Sequence, residues 1–422
     1  MVAAGLLLGA APAMAQDAGC AVAEGCPGLA VSAGYTADLR RNTHGGVATG
    51  TAVSGLLELG AAWRSERLLP GASFTASASA IHVGGDAISG ELVGDLQGLN
   101  NIEADGGWYL YDLWTELAFG AARSTSLRAG FLDLNAEFDS TDTGGFFIGP
   151  PFGIGTDLAQ TGENGPAVFP VTGLGVRLGG RLGQRSAWHL AAYEGVPGRT
   201  DRHRFVTVDV PRRQGALLIG ELQFQPGRLH QIAFGAWTYT TGFERIDSAA
   251  SGDVAPRHGN RGAYGLIDAP LGALGGARVD GMLRMGVADA RFNAVGAYLG
   301  GAIVASQFLP GRPNDAVGIA VAHARTGGPF REQLAFDGGA PERAETAVEL
   351  TWRAPLAEWL SIVPSLQWVN SPGADRSLRN ALVAGVRLEM SAGHDWPLLA
   401  QQAEPGPGVP AVAANHSAPS TQ

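Results

Sequence analysis

Residues 72–80 read Ala72-Ser73-Phe74-Thr75-Ala76-Ser77-Ala78-Ser79-Ala80 and alternate without a break. The even positions are apolar and the odd positions carry hydroxyls. Successive side chains of an extended chain point to opposite faces, so one face of this segment meets an apolar medium and the other a polar one. The same period runs through the rest of the chain. Val53, Leu57, Leu59 and Trp63 interleave with Ser54, Glu58 and Arg64. Tyr109, Tyr111, Leu113 and Leu117 interleave with Asp112, Trp114 and Glu116, and Ala344, Thr346, Val348, Leu350 and Trp352 with Glu345, Glu349, Thr351 and Arg353. A helical period of 3.6 is not sustained anywhere.

About sixteen such segments can be marked, each near the ~10 residues of a membrane-crossing strand. They lie at 28–38, 52–64, 72–83, 108–120, 125–133, 171–182, 186–194, 214–225, 229–240, 261–268, 278–288, 291–303, 316–325, 343–353, 359–369 and 379–390. Short links follow the even segments, as at Gly183-Gln184-Arg185 and Pro226-Gly227-Arg228. Long links follow most odd ones, at 84–107, 134–170, 195–213, 241–260 and 326–342. Short turns at one rim and long loops at the other are the pattern of an outer-membrane barrel. The order reverses near 289–290 and 304–315, which points to a misplaced strand or an irregular hairpin.

Composition agrees with an embedded all-β protein. The chain of 422 residues has 63 Gly and only 16% charged residues, and its mean hydropathy is +0.06. That is too apolar for a disordered chain. The net charge of −10, without a basic block, argues against nucleic acid as a partner. A sandwich of sixteen strands would need a thick core of large side chains, whereas the apolar faces here carry many small ones. A membrane barrel needs only lipid outside, with Ser, Gly and Arg around water inside. Tyr35, Trp63, Trp188, Tyr239, Trp352, Trp359 and Trp368 near strand ends fit interfacial girdles. The fold expected is an all-β, 16-stranded antiparallel transmembrane β-barrel over 28–390.

The ends of the chain carry the compartment. Residues 1–15 read as a signal peptide, with Leu6-Leu7-Leu8 in the apolar run and Ala13-Met14-Ala15 at the cleavage point, although no basic residue precedes the run. Residues 16–27 form a short periplasmic segment, where Cys20 and Cys26 allow a local disulfide. Residues 391–422 are rich in Pro, Ala, Gly and Ser and read as a disordered tail. Outer-membrane barrels commonly end on an aromatic residue, and a last strand closing at Glu389-Met390 lacks one.

The longest link, 134–170, opens Leu134-Asn135-Ala136-Glu137-Phe138-Asp139, continues through Phe152-Gly153-Ile154-Gly155 and Gln160-Thr161-Gly162-Glu163-Asn164-Gly165-Pro166, and closes Phe169-Pro170. A loop this long is usually functional, and folded into a wide lumen it narrows the passage. These stretches resemble the OprB-type carbohydrate-selective porin family, as do Asp95-Leu96-Gln97-Gly98-Leu99-Asn100-Asn101-Ile102-Glu103-Ala104, Gly130-Phe131-Leu132-Asp133 and Ala344-Glu345-Thr346-Ala347-Val348-Glu349-Leu350-Thr351-Trp352-Arg353. So do Trp359-Leu360, Pro364, Gln367, Asn370, Pro372-Gly373 and Asn380-Ala381-Leu382-Val383. The resemblance implies a sixteen-stranded outer-membrane porin, usually trimeric and surrounded by lipid and lipopolysaccharide. It passes sugars such as monosaccharides by diffusion, with the loop after the fifth strand folded inward as a constriction.

Parity then assigns the pore lining. Glu58, Arg64, Asp112, Trp114, Glu116, Arg128, Arg177, Arg181 and Glu221 face the lumen, with Gln223, Glu345, Glu349, Arg353, Arg379, Arg387 and Glu389. Every one of the 29 basic residues is Arg. Guanidinium and carboxylate groups supply donors and acceptors to sugar hydroxyls, and weak repeated contacts let solute leave again. Arg128, Arg177, Arg181, Asp112, Trp114 and Glu116 rank first as solute contacts, because they flank the long loop. Asn135, Glu137 and Asp139 are expected to pin that loop to the wall. No metal, cofactor or catalytic motif is present in the sequence. The alternatives are a general or anion-preferring porin without sugar selectivity, a surface binding protein anchored by its barrel, and an outer-membrane hydrolase.

Overall fold

The computed structural model describes residues 27–66, 68–198, 205–206, 215–227 and 229–397. The signal peptide, Cys20, Cys26 and the chain from 398 onward lie outside the described residues. Sixteen strands close into one antiparallel barrel, each paired with its chain neighbours and the first with the last. They are β1 (Gly28–Gly46), β2 (Gly50–Ser65), β3 (Ser73–Gly85), β4 (Gly107–Phe119), β5 (Thr125–Leu132), β6 (Gly173–Arg181), β7 (Ser186–Glu194) and β8 (Ala216–Phe224). The second half is β9 (Gln231–Tyr239), β10 (Arg261–Leu274), β11 (Ala277–Ala288), β12 (Val295–Ser306), β13 (Ala316–Thr326), β14 (Ala344–Ala357), β15 (Leu360–Asn370) and β16 (Arg379–Pro397).

No strand is misplaced, and the reversal of link lengths is an irregular hairpin. The 289–294 link at the long-loop rim is short, and the 307–315 turn at the opposite rim is long. The 327–343 link carries a helix, α1 (Gly328–Phe336). The closing strands are longer than their apolar runs suggest. β16 continues past Met390 through Ser391 to Pro397 and pairs with the start of β1, with Leu29 opposite Trp396. The expected tail therefore begins too early at 391, and the barrel does carry an exposed aromatic, Trp396, near its C-terminal end. Period-two polarity ran out at 390, but backbone pairing did not.

Side chains sort by parity. Val176, Leu190, Leu222, Phe234, Met285, Val287, Leu299, Ile303 and Ile319 are exposed on the outer surface, a band that closed-barrel geometry allows only against an apolar surround. One strand breaks the expected parity. Between Ser79–Asp112 and Ala80–Leu110 the β3–β4 register skips Tyr111. This β-bulge turns Tyr109 and Tyr111 inward while Leu113 and Leu117 stay outward. The Tyr111 hydroxyl accordingly reaches Asp133 at 2.7 Å. Tyr239 is also inside rather than in a girdle: it is buried and bonds to Thr161.

The inner face of β13 is Gly318, Ala320, Ala322 and Ala324. Small residues there make room for Phe146 and Phe147. A Cβ at Gly318 would stand 2.7 Å from the Phe147 ring. The interior is therefore packed by loops, and its apolar clusters join strand residues to Leu134, Phe138, Ile154 and Leu158 on one side and to Phe147 and Phe152 on the other.

Candidate functional site

The 133–172 loop crosses the barrel interior and bonds to inward side chains around most of the perimeter. Glu137 lies between Arg128 of β5 and Arg177 of β6, neighbours in register. Arg177 Nε is 2.9 Å and Nη2 3.0 Å from its carboxylate oxygens. Glu116 of β4 completes the cluster, with Arg177 Nη2 donating at 2.8 Å and Arg128 Nε at 3.1 Å. Arg128 also stacks 3.9 Å over the Trp114 ring. Burial alone would raise the Glu137 carboxyl, but the two guanidinium groups hold it below the ordinary carboxylate range.

Further along, Arg284 of β11 clamps Asp139 with a bidentate pair at 3.0 and 2.7 Å and also bonds Asp157. Glu221 accepts the Asp139 N–H at 3.0 Å. Asp268 of β10 holds Thr143. Glu349 of β14 accepts both the Ile148 and Gly149 N–H groups at 2.8 Å. Tyr298 of β12 donates to the Pro151 carbonyl at 2.6 Å. Asn135 holds the loop's own turn together through the Phe138, Asp139 and Gly153 carbonyls.

A second loop, 86–106, folds inward against β14–β16, β1 and β2. Glu345 receives the N–H groups of Leu96, Gln97 and Gly373. Gln367 donates to the Leu99 carbonyl, Asn100 donates to Ser54, and Arg387 bridges Asp38 and Asn100. The two loops meet where Asn101 N–H donates to the Ile148 carbonyl and Gln160 to that of Leu96.

These contacts redistribute the residues expected to meet solute. Arg128, Arg177 and Glu221 are buried and committed to the loop, so their donors and acceptors are already used. That differs from ranking the two arginines first as solute contacts, and the cause is the loop carboxylate between them. Arg181, by contrast, is exposed at the end of β6 nearest the short turn and stands apart from the clamp. Glu58, Arg64, Asp112, Trp114 and Glu116 are half-buried on the inner wall of β2 and β4. Arg353 and Glu389 pair at 2.6 Å in the half-open lumen.

Sequence reading missed Arg284 and Asp268. The signal for Arg284 was present: it stands between Leu283 and Met285, both exposed outward, so parity alone turns it inward. The inward course of 86–106 had no such signal, since a loop has no period.

Comparison with known proteins adds the following. The model of the carbohydrate-selective porin, OprB family, matches residues 49–391. Among solved structures, the high-pH structure of Pseudomonas putida OprB superposes with a TM-score of 0.76 at 19% identity, covering 86% of this chain and 94% of that one. The Salmonella typhi OmpF complex with daunomycin gives a TM-score of 0.53 at 9% identity, covering 86% and 97%. A mutant Rh. blastica porin gives 0.51 at 13%, covering 86% and 99%. A search of curated proteins found no match.

Proposed function

We propose, for a chain that belongs to the OprB family of carbohydrate-selective porins, that sugar passes between the clamped 133–172 loop and the inner wall of β1–β4. The protein is a sugar-selective channel of the bacterial outer membrane, and porins of this fold are channels rather than enzymes. One observation carries the route. Among the described residues the loop's hydrogen bonds run to β4–β6, β8–β12 and β14, and none joins it to β1, β2 or β3. The constriction then lies between this fixed plug and the part of the strand wall that the 86–106 loop leaves free. Glu58, Arg64, Asp112, Trp114 and Glu116 on that wall are the residues that face solute. Asn135, Glu137 and Asp139 act as anchors.

The same reading takes the chain as a homotrimer in lipid and lipopolysaccharide. A shallow outer groove of about 260 Å³, edged by Leu29, Trp63 and Leu113 over Ala61, Ala76 and Ala78, supports a packed neighbour on β1–β5.

The test is ion current through the purified protein in planar bilayers. Current should fall as glucose is added. A current indifferent to glucose and to disaccharides would leave a general porin and remove sugar binding from the passage.

A further inference from the structure

The opening stretch of β3 holds more than a strand pattern. Its inward face is a ladder of four hydroxyls, Ser73, Thr75, Ser77 and Ser79, about 6.7 Å apart at two residues per repeat. Register fixes what stands beside each. Thr75 lies between Arg64 and Glu116, Ser77 between Ala62 and Trp114, and Ser79 between Gly60 and Asp112. On β1, Ser32 is opposite Gly60, and Ala30 opposite Ala62. The wall beside the ladder on β1 and β2 thus has no long side chain at the level of Ser77 and Ser79.

Two of the hydroxyls are occupied. Ser79 accepts the Asp112 N–H at 3.1 Å, and Ser73 faces Arg64 at 3.4 Å. Thr75, Ser77 and Ser32 are half-buried, and their hydroxyls bond to no described residue. Both inward loops reach β3 beyond the ladder: the 86–106 loop through Ile102, and the 133–172 loop through Phe169 and Val171, pack on the cluster that holds Ile81 and Val83.

A half-buried hydroxyl without a protein partner is held by water, which a solute hydroxyl can replace with little loss. Serine and threonine both donate and accept, as each sugar hydroxyl does, and they carry no charge to capture ions. We infer that Thr75, Ser77 and Ser32 form a hydroxyl track along which neutral polyhydroxylated solutes are recognised and handed through the passage. The inference rests on the route proposed above and names its selective element. Bonds of this kind are individually weak, which suits a site that solute must leave.

The test replaces the hydroxyls with groups of equal size in the full-length protein, as Thr75→Val with Ser77→Ala and Ser32→Ala. Glucose half-block of the bilayer current should shift to a concentration higher by about 3- to 10-fold, while conductance moves far less. Ser77→Thr, which keeps a hydroxyl, should retain wild-type block. If the triple variant does not form a barrel, as judged by migration of the unheated protein in SDS, Thr75→Val and Ser77→Ala singly carry the test at about twofold each. Half-block within the scatter of wild type in these variants overturns the track and leaves the route intact. Absence of sugar block in the wild type overturns the route and the track together.

Discussion

Glu137 anchors the start of the loop. Two arginines reach it from adjacent strands, and among the described residues their only other carboxylate is Glu116. Replacing Glu137 with Gln leaves two buried guanidinium groups sharing one anion. Breaking a buried pair costs about 3–5 kcal/mol, enough to undock this end of the loop. We expect a larger, noisier single-channel conductance and faster proteolysis within 133–172. Wild-type conductance and protease resistance in that variant would show that the clamp does not hold the loop. The pH sign follows from the depressed carboxyl of Glu137. Its stabilisation is present above the ordinary unfolded carboxylate value and is lost as pH falls through the lower folded value, so strong acid should mimic the substitution.

At the scale of an element, the 86–106 loop should respond to pH in the opposite direction. Both carboxylate oxygens of its Asp95 are buried next to Glu345, with no cation among the described residues to balance them. Burial, and then the Glu345 charge, push the Asp95 carboxyl up to about 8. Between the unfolded carboxylate value and about 8 the docked loop therefore binds more protons than the free one, and docking weakens as pH rises through that window. Protection of 86–106 from protease should fall between roughly pH 5, about a unit inside the lower edge of the window, and roughly pH 9, about a unit beyond its upper edge. Asp95→Asn, which keeps the shape and removes the proton, should flatten the dependence. An equal slope in both proteins would assign it elsewhere. How legible an element was depended on its period. β11 could be read to the residue, as Arg284 shows. The β3–β4 pair misled at Tyr109 and Tyr111, because one bulged residue inverts parity without changing composition.

At the scale of the whole molecule, closure removes every sheet edge, so unfolding cannot begin by fraying an edge strand. The unheated protein should migrate anomalously in SDS and shift to its full apparent mass only after boiling. Cross-linking in mild detergent should give a ladder ending at three copies. Full unfolding in SDS at room temperature would count against the closed barrel, and a ladder ending at one copy against the trimer.

Strand count, closed antiparallel order, family and the lipid-facing half of the strands, the bulged start of β4 excepted, are legible in the chain alone, because period two is a local property of the backbone and survives in one dimension. Arg128, Arg177, Glu221, Glu137 and Asp139 of the clamp are among the residues it singles out, whereas Arg284 and Asp268 are not. What those residues touch is set by the folded barrel. Arg177 was read as a solute contact and is buried against Glu137, 40 positions earlier in the chain. Glu349 meets the Ile148 N–H 201 positions away. Such partners are set by where an aperiodic loop lands inside the barrel, and that landing depends on the small inner face of β13 and the carboxylates of β14 acting together.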